Sequence, residues 1–274
     1  MTERSRLRSY FGVSQISFRN MRQYTIEFLT SFVYFPAKLL ALYIVYSIIY
    51  TQAWLFDGTT VIGGFSFPEL MSYLFISVIL ISAIPLFRLS MEIEKDIVRG
   101  PLISYLARPI DYSGFKVFAE LPRTLVYLAF GALTYMIALL LLPLNIPTIY
   151  NLLLFIGFFY IAFFIAFLLV FVIALAAFWM SSLWWIRHLL GLTMSIAGGA
   201  LIPLTYFPHL AQIILGLLPF QYLYYVPTLI LQGYYLPEQL LPMAILGIFW
   251  FIALYLLSRL IWYFGRRRYE GAGG

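Results

Sequence analysis

Apolar residues gather along this chain into six long runs, approximately Phe28 to Tyr50, Leu70 to Phe87, Val117 to Leu142, Asn151 to Trp179, His188 to Leu204 and Leu240 to Phe264. Each is near the ~20 residues that cross the hydrocarbon of a bilayer. Nothing there satisfies exposed amides and carbonyls, so each run predicts a helix. Ahead of the first run, Leu7, Tyr10, Phe11, Phe18 and Met21 share one helical face, with Arg19, Asn20 and Gln23 opposite. Residues 1–26 therefore predict an amphipathic helix along the inner membrane surface. Between the last two runs, Pro208 to Leu218 and Tyr222 to Leu231 are too short to cross and are interrupted by Pro219 and Pro227. Residues 205–239 are expected to dip into the outer leaflet as short re-entrant helices. Seventh and eighth spans would need longer unbroken runs. The expected fold is an all-α membrane protein, a single domain over residues 1–274 with six transmembrane helices.

Basic residues orient it. Residues 51–69, 143–150 and 205–239 hold no Lys or Arg. Arg4, Arg6, Arg8, Arg19 and Arg22 precede the first run, and Arg88, Lys95, Arg99, Arg108, Lys116, Arg187 and Arg266 to Arg268 occupy the alternate segments. Since cytoplasmic loops collect Lys and Arg, both termini are expected in the cytoplasm, with Asp57 and Glu238 outside and Arg99 and Arg267 inside. The setting is the cell membrane. The first apolar run begins late and no small-residue cleavage site follows a shorter one, so no removable signal peptide is expected.

Composition agrees. Of 274 residues, 63% are hydrophobic and only 10% charged, against about 25% charged in an ordinary soluble domain. The net charge of +6 sits at the ends of apolar runs, which reads as topology and not as a nucleic-acid surface. Without cysteine, disulfides, thiol nucleophiles and thiolate metal sites are excluded. His188 and His209 fall on opposite sides, so they share no metal. The three lysines follow Ala37, Glu94 and Phe115, so no Gly-Lys phosphate loop exists and the chain is not expected to hydrolyse ATP. No catalytic, cofactor-binding or metal-binding residue is expected.

Charge inside the spans is scarce. Glu120 and Arg123, spaced i, i+3, read as a structural pair, and Arg259 as an anchor snorkelling to the inner surface. Lys38 has two readings: a cavity-facing charge, or a side chain reaching the inner interface from a span that begins at Pro36. Gly191, Ser195 and Gly199 recur every four residues, a stripe suited to a subunit interface or to packing within one subunit. The 22 Tyr and 26 Phe suit an aromatic cavity for a hydrophobic or cationic ligand, and equally interface belts.

The cytoplasmic loop 88–116 is the most informative stretch. Its charged and apolar residues interleave, and two short helical pieces are expected, split at Gly100-Pro101 and ending before Pro109. Val98-Arg99-Gly100, Leu102, Leu106 and Arg108-Pro109 resemble the pattern of ABC-2 type export permeases, six-span subunits with a separate ATPase chain. Gly198-Gly199-Ala200, Pro203, Phe207-Pro208, Leu218-Pro219-Phe220 and Tyr225-Val226-Pro227 resemble that family's run before its last span.

The resemblance implies a permease working as a dimer with an identical or related second permease chain, which binds no cofactor itself while ATP sits on the partner ABC ATPase. It also implies that the 88–116 loop docks on that ATPase, with Glu92, Glu94, Lys95, Arg99, Gly100 and Arg108 at the contact. Reversing Glu94 or Arg99 is then expected to harm coupling before folding. The alternatives are an ion-coupled secondary transporter, which lacks its mid-membrane carboxylates here, and a membrane-embedded enzyme, which lacks a convergent His, Asp or Glu set.

Overall fold

The computed structural model describes residues 3–20, 25–58, 60–84, 86–108 and 110–269. Met21, Arg22, Gln23 and Pro109, with the side chains of Arg4, Arg6, Leu7, Arg8, Phe28 and Asp57, lie outside this description. Among the described residues the chain is all-α apart from a hairpin of two-residue strands, β1 (Val61–Ile62) and β2 (Phe65–Ser66). That hairpin closes on Gly63 and Gly64, both at positive φ, as the tightest hairpin turns require.

Five helical stretches among the described residues are long and apolar enough to cross a membrane: Pro36–Leu55, Phe67–Val98, Tyr112–Leu141, Ile149–Phe178 and Pro237–Arg268. They belong to α2 (Thr25–Asp57), α3 (Phe67–Ala83) with α4 (Leu86–Val98), α6 (Tyr112–Leu141), α7 (Ile149–Ala174) and α11 (Pro237–Arg268). Helices α3, α4 and α7 are largely buried, while α2 and α11 expose most of their apolar surface. Helix α7 packs against α4, α10 (Tyr225–Gln232) and α11, and α3 packs against α2, α6 and α10. Helix α1 (Glu3–Asn20) lies against α6. Tyr10 is half-buried there, whereas Phe11 and Phe18 are largely exposed.

The fifth expected span is shorter than the sequence implies. Helix α8 (Trp184–Ala197) has 14 residues, about 21 Å at 1.5 Å per residue, below the ~30 Å of hydrocarbon. It ends where Gly198 and Gly199 (φ 73°) turn the chain aside. A short 3-10 turn, Leu204–Tyr206, then brings Tyr206 beside Tyr50 and Gly63 at the hairpin end. The chain thus passes between the two ends partly as irregular backbone.

Two short helices follow, α9 (His209–Leu217) and α10, close to the two expected pieces. The segment leaves the hairpin end after Tyr206, reaches Trp250 of α11 at the end of α9 and returns at the end of α10, where Gln232 Nε2 donates to the Glu69 carbonyl at 3.1 Å. Pro227 sits in the first turn of α10, where a missing amide is tolerated.

Irregular backbone needs partners, and tyrosine supplies them. Tyr46 Oη donates to Leu201 O at 3.0 Å, Tyr50 Oη to Phe65 O at 2.7 Å, and Tyr135 Oη to Asn145 O at 2.7 Å. Tyr73 donates to the Gly199 carbonyl. The last carbonyls of α9 accept from Gln221 and from Trp250 Nε1.

Glycine sets the approach of α3 to α6. A Cβ on Gly131 would run into Ile79 Cγ2, so Gly131→Val is expected to cost roughly 1–3 kcal/mol through overpacking. Gly157, where an added Cβ would meet nothing within 4 Å, is the control: Gly157→Val should melt close to the parent in detergent. Equal melting of both variants would remove the close-approach role.

Candidate functional site: the helical elbow at the basic end

Helix α4 shows four distinct faces. Leu89, Ile93 and Ile97 are buried against α7. Arg88, Glu92 and Asp96 turn toward α6, and Ser90 and Glu94 toward α8. Met91, Lys95, Val98 and Arg99 remain exposed. The four-residue spacing within each set follows directly from the helical period. The joined stretch Phe67–Val98 has 32 residues, about 48 Å, so roughly its last third projects beyond ~30 Å of hydrocarbon.

The helix stops as the sequence predicts. Gly100 takes φ 94°, a conformation open to glycine and strained for other residues. Pro101 then leads into α5 (Leu102–Leu106), whose Leu102 is buried while Ile103 and Leu106 are exposed. Tyr269 Oη, just past α11, donates to Gly100 O at 3.0 Å and ties the elbow to the last helix. Arg108 lies over the Tyr105 ring at 5.3 Å.

The acidic side chains of α4 are occupied inside the chain. Arg88 Nη1 meets Glu92 Oε1 at 2.6 Å, and its Nη2 meets Glu120. Lys116 Nζ meets Asp96 Oδ2 at 2.8 Å and Glu92 Oε2 at 3.8 Å, while Tyr112 Oη donates to Asp96 Oδ2 at 2.7 Å. Because α4 and α6 run antiparallel, Arg88 faces Glu120 and Asp96 faces Lys116. Toward α8, Arg187 pairs with Glu94 and donates through Nε to Ser90 Oγ at 3.2 Å; Leu183 N donates to Glu94 Oε1 at 3.4 Å.

Of the six expected docking residues, Lys95, Arg99 and Arg108 lie on the exposed surface, Gly100 forms the bend, and Glu92 and Glu94 turn into the fold. Asp96, Lys116 and Arg187 escaped the sequence reading as bracing residues. The signal for Asp96 and Lys116 was the complementary pattern of charges at i, i+4 and i+8 on α4 with Lys116 and Glu120 at i, i+4 on α6; Arg187 had none.

The remaining candidates resolve differently. Gly191 and Gly199 are filled from within: an added Cβ would lie 2.7 Å from the Phe87 ring at Gly191 and 2.9 Å from Tyr73 Oη at Gly199. Ser195 Oγ donates to Gly191 O at 2.8 Å. Glu120 meets Arg88 from α4, with Arg123 near enough to act on its charge, so its pairing reaches beyond the expected i, i+3 partner.

Arg259 is a clamp, its Nη1 2.7 Å from Asp111 Oδ1. Burial opposes ionisation of Asp111, but the Ser113 hydroxyl, Arg259 and the Gly114 amide outweigh it and hold the carboxyl below its ordinary range. Lys38 is half-buried, twelve residues and roughly 18 Å before Tyr50. Pro36 lies inside α2 and does not start it.

Among the described residues no group of His, Cys, Asp or Glu is arranged to hold a metal. The elbow offers mechanics: a bend whose exposed stripe is coupled by ion pairs to α6 and α8 and by a hydrogen bond to the end of α11. The sequence model of the ABC-2 family transporter protein matches residues 30–273.

The chain belongs to the ABC-2 transporter family.

This ABC-2 transporter protein is therefore a multi-pass membrane permease of ABC-type transport. Comparison with curated proteins gives no match.

Proposed function

We propose that this ABC-2 protein is the permease subunit of an ATP-driven exporter, paired with an identical or related second permease and driven by separate ABC ATPase chains. The observation that carries this reading is the division of α4: its acids are turned inward while Met91, Lys95, Val98 and Arg99 form an exposed apolar and basic stripe beside the Gly100 bend. Such a surface fits an acidic, partly apolar groove on the ATPase. ATP binding closes the ATPase pair and tilts the elbow; the ion pairs to α6 and α8 carry that tilt into the spans and switch access from one side to the other. In this reading both termini are cytoplasmic in the cell membrane. Helix α8 with the irregular chain to Tyr206 makes the fifth of six crossings, and residues 205–239 form the re-entrant outer segment.

The test uses Lys95→Glu and Arg99→Glu. An exposed charge changes folding stability by less than about 0.5 kcal/mol, whereas a desolvated interfacial pair is worth roughly 2 kcal/mol or more. Each reversal is expected to leave membrane abundance unchanged and to weaken retention of the ATPase chain in affinity purification by about tenfold or more. Recovery of the same ATPase at parental yield from both variants would move the docking surface away from this elbow.

A further inference from the structure

Helices α1 and α6 pack against each other. At the contact, Tyr10 stacks on Phe118 with ring centroids 5.0 Å apart, and the Asp111 amide donates to Tyr10 Oη at 3.2 Å. The ring lies close over Gly114, where an added Cβ would sit a tight 3.0 Å from Tyr10 Oη. Beyond this point a groove of about 570 Å³ opens. Helix α1 lines it with Ser14, Gln15, Phe18 and Arg19. Helix α6 lines it with Pro122, Leu125, Val126 and Ala129, a wholly apolar stripe at i, i+3, i+4 and i+7.

The two walls call for different chemistry. One carries a guanidinium and two neutral hydrogen-bonding side chains, and no carboxylate is among the lining residues. The other continues into the membrane-crossing surface of α6, where Leu125 is exposed. Phe11, Ile16 and Phe18 of α1 are likewise exposed apolar side chains of a helix that is polar overall.

We propose that this groove is a binding site for one anionic glycerophospholipid, its phosphate held by Arg19 with Ser14 and Gln15 and one acyl chain laid along Leu125, Val126 and Ala129 between the helices. A guanidinium matches a phosphate diester in both charge and fork geometry. A lipid with a quaternary ammonium meets no carboxylate in this lining, and the one aromatic ring there, Phe18, is a weaker partner for its cation than Arg19 is for a phosphate. The bound lipid acts as a wedge that sets how α1 leans on α6.

Native mass spectrometry of the purified full-length chain tests this, using phosphatidylglycerol and phosphatidylcholine with identical acyl chains. One phosphatidylglycerol per chain is expected to survive activation that strips phosphatidylcholine. Arg19→Gln should lower phosphatidylglycerol retention roughly fivefold, matching the ~1 kcal/mol of a basic residue at an anionic surface. Phosphatidylcholine retention should fall less, because its ammonium already offsets the phosphate charge, and Arg19→Lys should recover part of the difference. Ala129→Trp, which fills the apolar half, should lower retention while leaving the Tyr10 contact in place. Glycerol phosphate without acyl chains should not compete. Equal retention of the two lipids by the parent chain, an unaltered preference in Arg19→Gln, or displacement by glycerol phosphate would each overturn the proposal.

Discussion

Glu94→Lys is expected to destabilise the protein by about 3 kcal/mol or more and to reduce its abundance in the membrane. Glu94 is the anion opposite Arg187, whose side chain is 9% exposed, and it also accepts from the Leu183 amide. Removing one member of a buried ion pair leaves the other charge without compensation, at roughly 3–5 kcal/mol. Reversal adds repulsion between two cations. The double variant Glu94→Lys with Arg187→Glu restores opposite charges, so it should regain most of the lost melting temperature. Thermal melting of the parent and the two purified variants in detergent, with membrane abundance measured alongside, checks this. A Glu94→Lys chain of normal abundance and parental melting that fails to hold its ATPase would return Glu94 to the docking surface.

Lys116→Met is expected to cost about 3 kcal/mol on similar grounds. The Lys116 side chain is 5% exposed and supplies the cation for Asp96 and, at 3.8 Å, for Glu92. It also sits over the Tyr105 and Tyr112 rings at 5.4 and 5.6 Å. Methionine retains much of the aliphatic packing and removes the charge, so the loss falls mainly on the two carboxylates. Replacing a whole buried pair with apolar residues is often neutral. Lys116→Met with Asp96→Leu is therefore expected to recover about half of that loss, since Glu92 keeps Arg88 while Tyr112 Oη loses its acceptor at roughly 1–3 kcal/mol. If the double variant melts as low as the single one, packing rather than charge holds this junction.

What could be read in the sequence was local. The Gly100-Pro101 split followed from two residues with restricted backbones, and the two helices between Phe207 and Gly233 followed from prolines that interrupt apolar runs. The length of α8 did not, because Gly198 and Gly199 read equally as close-packing residues and as a terminator, and Tyr73 and Tyr225, which fill the space there, are distant in sequence. The inward turn of Glu94 was hidden for the same reason. Its partner, Arg187, lies 93 positions away, and spacing within one helix says which residues share a face without saying what the face meets. The small-residue stripe likewise stayed ambiguous until Phe87 and Tyr73 were seen to occupy it.

The tyrosine caps on the irregular backbone give that region a stability that depends on its solvent. Tyr46, Tyr50 and Tyr73 each hold a carbonyl outside regular helix at the hairpin end. In hydrocarbon, a carbonyl that loses its phenol has no replacement donor, and the loss amounts to several kcal/mol. Where water reaches the same carbonyl, it exchanges one donor for another at a net change of only about 1 kcal/mol. Wetting therefore loosens this break while the regular helices around it, bonded within themselves, keep their shape.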